Sequence, residues 1–192
     1  MAIAARSNAG FPTGFTYPGQ ATKKQNGRIV AVAAIKTDLD ISGWDSMNTA
    51  AWEALVTSED LVKLGPVTGQ FPQASENTEP GDGYLDMTTA SMNQDVAFKH
   101  YGPDVNLAIY QKLMQQSKYG TWSMIFVFED LVGYVPTLEE TLELLPVSIF
   151  ARPGSESEDL GSSRRIYVNA RYRISGLPTV IPTLDATFWK LN

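Results

Sequence analysis

The chain has 192 residues, a formal net charge of −6, no cysteine and a single histidine, His100. The absence of cysteine excludes disulfide scaffolds, thiol nucleophiles and cysteine-ligated zinc, and one histidine cannot build a histidine-rich metal site within one chain. The acidic balance removes the chain-wide basic footprint of a nucleic-acid-binding domain, while 43% hydrophobic residues suffice for a core without covalent staples.

Length and composition predict one domain over 28–192 behind an arm over 1–27. In the arm, Phe11, Phe15 and Tyr17 are interleaved with Gly10, Pro12, Gly14, Pro18 and Gly19 without a helical or strand period. Three aromatic rings in an irregular polar segment suit docking on a neighbouring molecule as well as local packing. No apolar run approaches the roughly 18 residues of a membrane-spanning helix. Met1–Arg6 lacks the charged leader and apolar stretch of a secretory signal, so synthesis and folding in the cytoplasm are expected.

Arg28 to Lys36, rich in Ile, Val and Ala, predicts a first strand. Asp38 to Gly43 reads as a polar turn, and 44–64 is divided between a short helix around Ala50–Ala54 and a strand over Val56–Leu64. The breakers Gly65-Pro66, Phe71-Pro72 and Pro80-Gly81-Asp82-Gly83 predict a long loop over 65–83, followed by a strand over Tyr84–Thr89. Asp104 to Tyr119 is the clearest helix, opened by Pro103 and stopped by Gly120, with Ile109, Tyr110, Leu113 and Met114 on one face.

The second half reads as β. Trp122–Phe128 is apolar on both faces, and Leu145–Arg152 predicts another strand. Arg164–Ile174 alternates most cleanly, with Ile166, Val168, Ala170, Tyr172 and Ile174 opposite Arg165, Tyr167, Asn169, Arg171 and Arg173. Thr179–Lys190 resumes the alternation as a last strand. The fold class is therefore mainly β, a sandwich or barrel-like domain with one flanking helix.

Few constellations carry chemistry. Asp38-Leu39-Asp40-Ile41-Ser42-Gly43 opens like a calcium loop, but Thr49 stands where the closing glutamate belongs, so an Asx-type turn is expected. Glu129-Asp130 and the run Glu139, Glu140, Glu143 are expected to be solvated or to cap, with Thr137 as a candidate helix cap. His100, next to Tyr101 and ahead of the helix, is expected to pack rather than act as a base. No catalytic, cofactor or metal site is expected. The face Arg165, Tyr167, Asn169, Arg171, Arg173 suits a subunit interface, a solvated sheet face or a platform for single-stranded nucleic acid.

Three stretches carry a family resemblance. They are Leu85-Asp86-Met87-Thr88-Thr89, the helix Asp104–Ser117 feeding into Trp122-Ser123-Met124-Ile125-Phe126-Val127-Phe128, and the late strand Arg165–Ile174 ending in Ser175-Gly176. Together they span roughly the last 110 residues and resemble the tail tube proteins of long-tailed bacteriophages, which are similar in fold to the inner tubes of contractile injection machines. The resemblance implies a virion structural protein, not an enzyme, made in the host bacterial cytoplasm and located in the tail. Its copies would form stacked six-membered rings, a conduit for DNA in transit without specific binding, with tape measure and terminator proteins as further partners and no membrane. It places Phe11, Phe15 and Tyr17 of the arm, Phe71 and Tyr84 in and beside the 65–83 loop, and Arg165, Tyr167, Arg171 and Arg173 at subunit contacts. Other readings are a capsid decoration, connector or fibre-base module, a carbohydrate-binding sandwich using exposed Trp44, Trp52 or Trp189, and a carboxylate-based hydrolase.

Overall fold

The computed structural model describes residues 28–72, 75–80, 87–101, 103–138, 143–155, 164–174, 179–181 and 184–189. In chain order these form β1 (Arg28–Lys36), α1 (Thr49–Thr57), β2 (Leu61–Gln70), β3 (Ser75–Pro80), β4 (Met87–Tyr101), α2 (Pro103–Ser117), β5 (Trp122–Phe128), β6 (Gly133–Val135), β7 (Ser148–Ser155), β8 (Arg164–Ile174), β9 (Thr179–Ile181) and α3 (Ala186–Trp189). The strands make one nine-stranded sheet, ordered β7-β8-β4-β2-β1-β5-β6-β9, with β3 paired to β4. Every pairing is antiparallel.

The sheet curls until its two halves face each other. In a flat sheet β5 and β8, four ladder steps apart, would stand about 19 Å from one another. The rings of Phe126 on β5 and Tyr172 on β8 instead stack at 6.5 Å. The space between the halves is filled by Val96, Phe98, Met124, Ile166, Val168 and neighbouring side chains, and α2 closes it with Tyr110 and Leu113. Phe71, half-buried, adds edge contacts to Phe126, Phe128 and Tyr134 at 5.5–5.8 Å.

A second core lies on the other face of β1 and β5. Ala31, Ala33, Ile35, Ile125 and Val127 pack there against Trp44, Trp52, Phe188 and Trp189. Both faces of β5 are thus buried along its whole length, as its unbroken apolar sequence requires. β1 likewise serves both cores, and a register shift between Ile29 and Ala31 flips its alternation, so Ile29 and Val32 face one core and Ala31 and Ala33 the other. Asn48 caps α1 by accepting from the Ala51 amide at 3.0 Å. Asp185 starts α3 by accepting from Thr187 N–H at 2.7 Å, and takes the Thr49 hydroxyl at 2.9 Å, tying the two helices together.

Several expectations are corrected. The predicted loop over 65–83 is largely strand, because β2 runs through Gly65-Pro66 to Gln70 and β3 occupies Ser75–Pro80. Gly65 takes φ +75° and the register slips between Ala31 and Ala33, so the proline falls in a bulge where no ladder donor is needed. β4 runs from Met87 to Tyr101, well past the expected end at Thr89, and takes in His100. The seventh strand is Ser148–Ser155, shifted three residues from Leu145–Arg152. Of the described residues of the final segment, Thr179–Ile181 are strand; Asp185 then caps a helical turn, and Leu184 and Phe188 enter one core. Thr137 forms an isolated bridge to Leu144 and shares a 2.7 Å hydrogen bond with Thr179, while 139–142, where the expected helical turn would begin, lie outside the described residues.

Candidate functional site: an arginine-lined sheet face

The alternation of β8 sends Ile166, Val168, Ala170 and Tyr172 into the core and Arg165, Tyr167, Asn169, Arg171 and Arg173 to the outer face. Pairing with β4 and β7 extends that face. Lys99 and Arg152 flank Tyr167 in one row, Ala97 and Phe150 flank Asn169 in the next, and Asp95 and Ser148 flank Arg171 in the third. Arg28 joins from the start of β1, through its pairing with Gln70. Every arginine after residue 27 except Arg164 therefore lies on or beside this face, although the chain as a whole is acidic.

Local contacts fix the side chains. The Arg171 guanidinium grips the Asp95 carboxylate with two bonds, Nε–Oδ1 at 2.5 Å and Nη2–Oδ2 at 2.9 Å, and this keeps the guanidinium firmly protonated. Arg28 pairs with Glu129 at 3.2 Å. The Lys99 ammonium lies 5.4 Å from the Tyr167 ring centroid. The Tyr167 ring covers Gly154, where an added Cβ would meet the ring at 2.9 Å, so glycine is what permits that pose. Between these rows runs a groove of about 600 Å³, lined by Arg28, Lys99, Arg152, Arg165, Phe150 and Tyr167 among others. Phe150, 57% exposed, stands at its rim.

A second groove, about 1190 Å³, runs between the end of α1, the start of β2 and α2. The exposed apolar side chains Val56, Ile109 and Tyr119 line it, with Asp38 and Glu59 beside them. Lys36 is held there by Asp60 at 2.7 Å, which raises the lysine's pKa and lowers the aspartate's. Lys63 donates to the Phe188 carbonyl, and its pKa is pushed down by burial.

Of the residues predicted to sit at contacts, the fold gathers Arg165, Tyr167, Arg171 and Arg173 on one face. It places Phe71 in the aromatic cluster with Phe126 and Tyr134. Phe11, Phe15, Tyr17 and Tyr84 lie outside the described residues. Sequence reasoning missed Arg28, Lys99, Phe150 and Arg152 as parts of the same surface. The alternation of buried Ile149 and Ala151 against Phe150 and Arg152 was the available signal for β7, but only the strand order brings β7, β8 and β4 side by side.

The remaining candidates resolve as structural. Asp40 accepts from the backbone amide of Ser42 at 2.8 Å and from its hydroxyl at 2.9 Å, the Asx turn expected, and these bonds lower its pKa. Asp130 accepts from Val132 N–H at 3.2 Å, while 139–142 lie outside the described residues. Among the described residues no cluster of three metal-ligating side chains occurs. His100 is buried, with Nδ1 3.2 Å from the Tyr110 hydroxyl and Nε2 3.4 Å from the Asn106 amide. Burial lowers its pKa and raises that of Tyr110. The three tryptophans that the carbohydrate-binding alternative would need exposed are buried: Trp44, Trp52 and Trp189 are 5%, 0% and 1% exposed. Trp52 meets Trp44 and Trp189 edge-on and stacks on Phe188, which meets Trp189 edge-on, all at 5.0–5.8 Å. No family model, curated protein or solved structure matches the chain.

Proposed function

We propose that this protein is a virion structural subunit of the bacteriophage tail tube type, assembling into stacked six-membered rings that form a conduit for DNA. The observation that carries the reading is the concentration of five arginines, Tyr167 and exposed Phe150 on one outer sheet face of an acidic chain. Arginine and aromatic side chains combine contact area with directional hydrogen bonding, and they dominate the energetics of protein–protein contacts.

The fold supports the same reading. Two of the stretches that carry the resemblance, the helix leading into β5 and the long strand β8, enclose one core, with α2 packed on β5, β7 and β8. Burial of Trp44, Trp52 and Trp189 takes away the stacking platforms on which the carbohydrate-binding alternative rested. The excess of carboxylates elsewhere on the surface suits a wall past which DNA slides without adhering.

Negative-stain electron microscopy of the purified protein at high concentration tests the proposal. Hollow tubes or stacked rings are expected. A closed, finite particle without a channel would point instead to a decoration or connector module, and a monomer at every concentration would overturn the assembling reading.

A further inference from the structure

We infer that the arginine face of one copy docks into the groove between α1 and α2 of the next copy, so that the chain assembles head to tail through two different surfaces. The inference rests on the assembling-subunit reading and names the two halves of its contact. The first half is the face around Phe150, Arg152 and Arg165. The second is bordered by 37–60, a stretch with six carboxylates (Asp38, Asp40, Asp45, Glu53, Glu59, Asp60) and no lysine or arginine, of which Asp38 and Glu59 line the groove itself. Asp38, Asp40, Glu53 and Glu59 are exposed there.

The two surfaces carry groups of opposite charge, guanidinium groups on the face and the carboxylates of Asp38 and Glu59 in the groove. The face offers a projecting aromatic ring, Phe150, among guanidinium groups. The groove offers Val56, Ile109 and Tyr119, the last 84% exposed, with Asp38 and Glu59 alongside. Two lysines of the groove are already engaged within the chain, Lys36 by Asp60 and Lys63 by the Phe188 carbonyl, while Lys112 stands on the α2 side. Guanidinium groups bind carboxylates through paired, planar hydrogen bonds, and Arg171 with Asp95 shows that geometry on this very face.

One copy cannot satisfy both halves. Arg28 lines the first groove and Lys36 the second, and these are the two ends of β1. An extended strand of that length separates them by about 25 Å. A contact between unlike surfaces of identical chains is heterologous, and it either closes a ring or propagates a filament. Single-stranded nucleic acid is the competing occupant of a face with arginine and tyrosine. The carboxylate of Asp95 within the face and the acidic balance of the chain disfavour it.

A charge swap provides the test. Arg152 and Glu59 are both exposed, so Arg152→Glu and Glu59→Lys should leave the thermal midpoint near that of the wild type, which circular dichroism checks. Each single variant should weaken self-association at least about tenfold in sedimentation equilibrium, and the double variant Arg152→Glu/Glu59→Lys should recover most of the loss, because every contact is then swapped but complementary. Unaltered association in either single variant, or no recovery in the double, would overturn the pairing of face with groove while leaving assembly itself intact. A wild type that stays monomeric would instead defeat the underlying reading. Binding of a fluorescein-labelled thymidine oligonucleotide that Arg152→Glu abolishes, with association unchanged, would assign the face to nucleic acid.

Discussion

The face and the groove stand on different supports. Behind the acidic 37–60 stretch, four large rings (Trp44, Trp52, Phe188 and Trp189) fill a smaller core shared by two short helices with β1, β5 and single residues of β2, β6 and β9. Behind the arginine face lies the larger core between the halves of the sheet, held by β4 and β8 over ten consecutive register pairs. A short helical cap depends on its side chains for its place, whereas a long antiparallel ladder fixes its outward residues through the backbone. The comparison separates two kinds of failure. Damage beneath the cap should cost stability, and changes on the arginine face should cost association while sparing the fold.

Breaking the cap is expected to have the largest effect. Trp52→Ala removes a fully buried ring that touches Trp44, Phe188 and Trp189, so it should cost about 3–5 kcal/mol in urea unfolding. A loss under 1 kcal/mol would mean that the second core is not a structural unit. A smaller but clear loss is expected where β2 meets β4. A Cβ on Gly69 would fall 2.6 Å from Phe98 Cβ and 2.8 Å from the Ala97 carbonyl, so Gly69→Ala should cost about 1–3 kcal/mol by forcing the strands apart. Because Gly69 and Ala97 line the first groove, this variant should also disturb the face, the one expected overlap between stability and association.

Acid sharpens the comparison further. Burial lowers the pKa of His100, so the folded chain favours the neutral ring. The unfolded chain binds the proton first, near pH 6.5. The stability contributed by the neutral ring is therefore complete above about pH 6.5 and is lost as pH falls from there through the lower folded-state value. The urea midpoint should decline over that window, and His100→Gln should flatten the decline. Asp60 and Asp185, held low chiefly by their bonds to Lys36 and Thr49, should matter only at more acidic pH. The smallest effect is expected from Asp95→Asn. Its pair with Arg171 is exposed on both sides, and such pairs add little to folding. The thermal midpoint should stay unchanged, and a measurable drop would show that the face is more rigid than its exposure suggests.

The sequence foretold these elements unevenly, for physical reasons. β1 and β8 emerge with the bounds expected, because an Ile/Val/Ala run and a strict alternation leave no competing period. The α2 helix begins at its signal Pro103 and ends at Ser117, two residues short of the expected Tyr119. β2 was misread because Gly65-Pro66 is punctuation in a local reading, yet a bulge against β1 accommodates it. The alternation over Thr179–Lys190 overextends the last strand, because it gives no sign that Asp185 caps a helical turn. The tryptophans looked available as platforms because no local pattern announces the second core, which joins residues separated by well over a hundred positions. Half of the arginine face was visible as the outward side of β8. The rest depended on strand order, which no single segment encodes.

Sedimentation velocity of the wild-type chain, over a concentration series at low and at high salt, tests the central claim most directly. Contacts between guanidinium groups and carboxylates on partly exposed surfaces weaken as the screening length contracts from about 10 Å at 0.1 M salt to about 3 Å at 1 M. The account predicts large, concentration-dependent assemblies at low salt that shift towards monomer at high salt. A single slow species throughout, or assembly that grows stronger with salt, would contradict it.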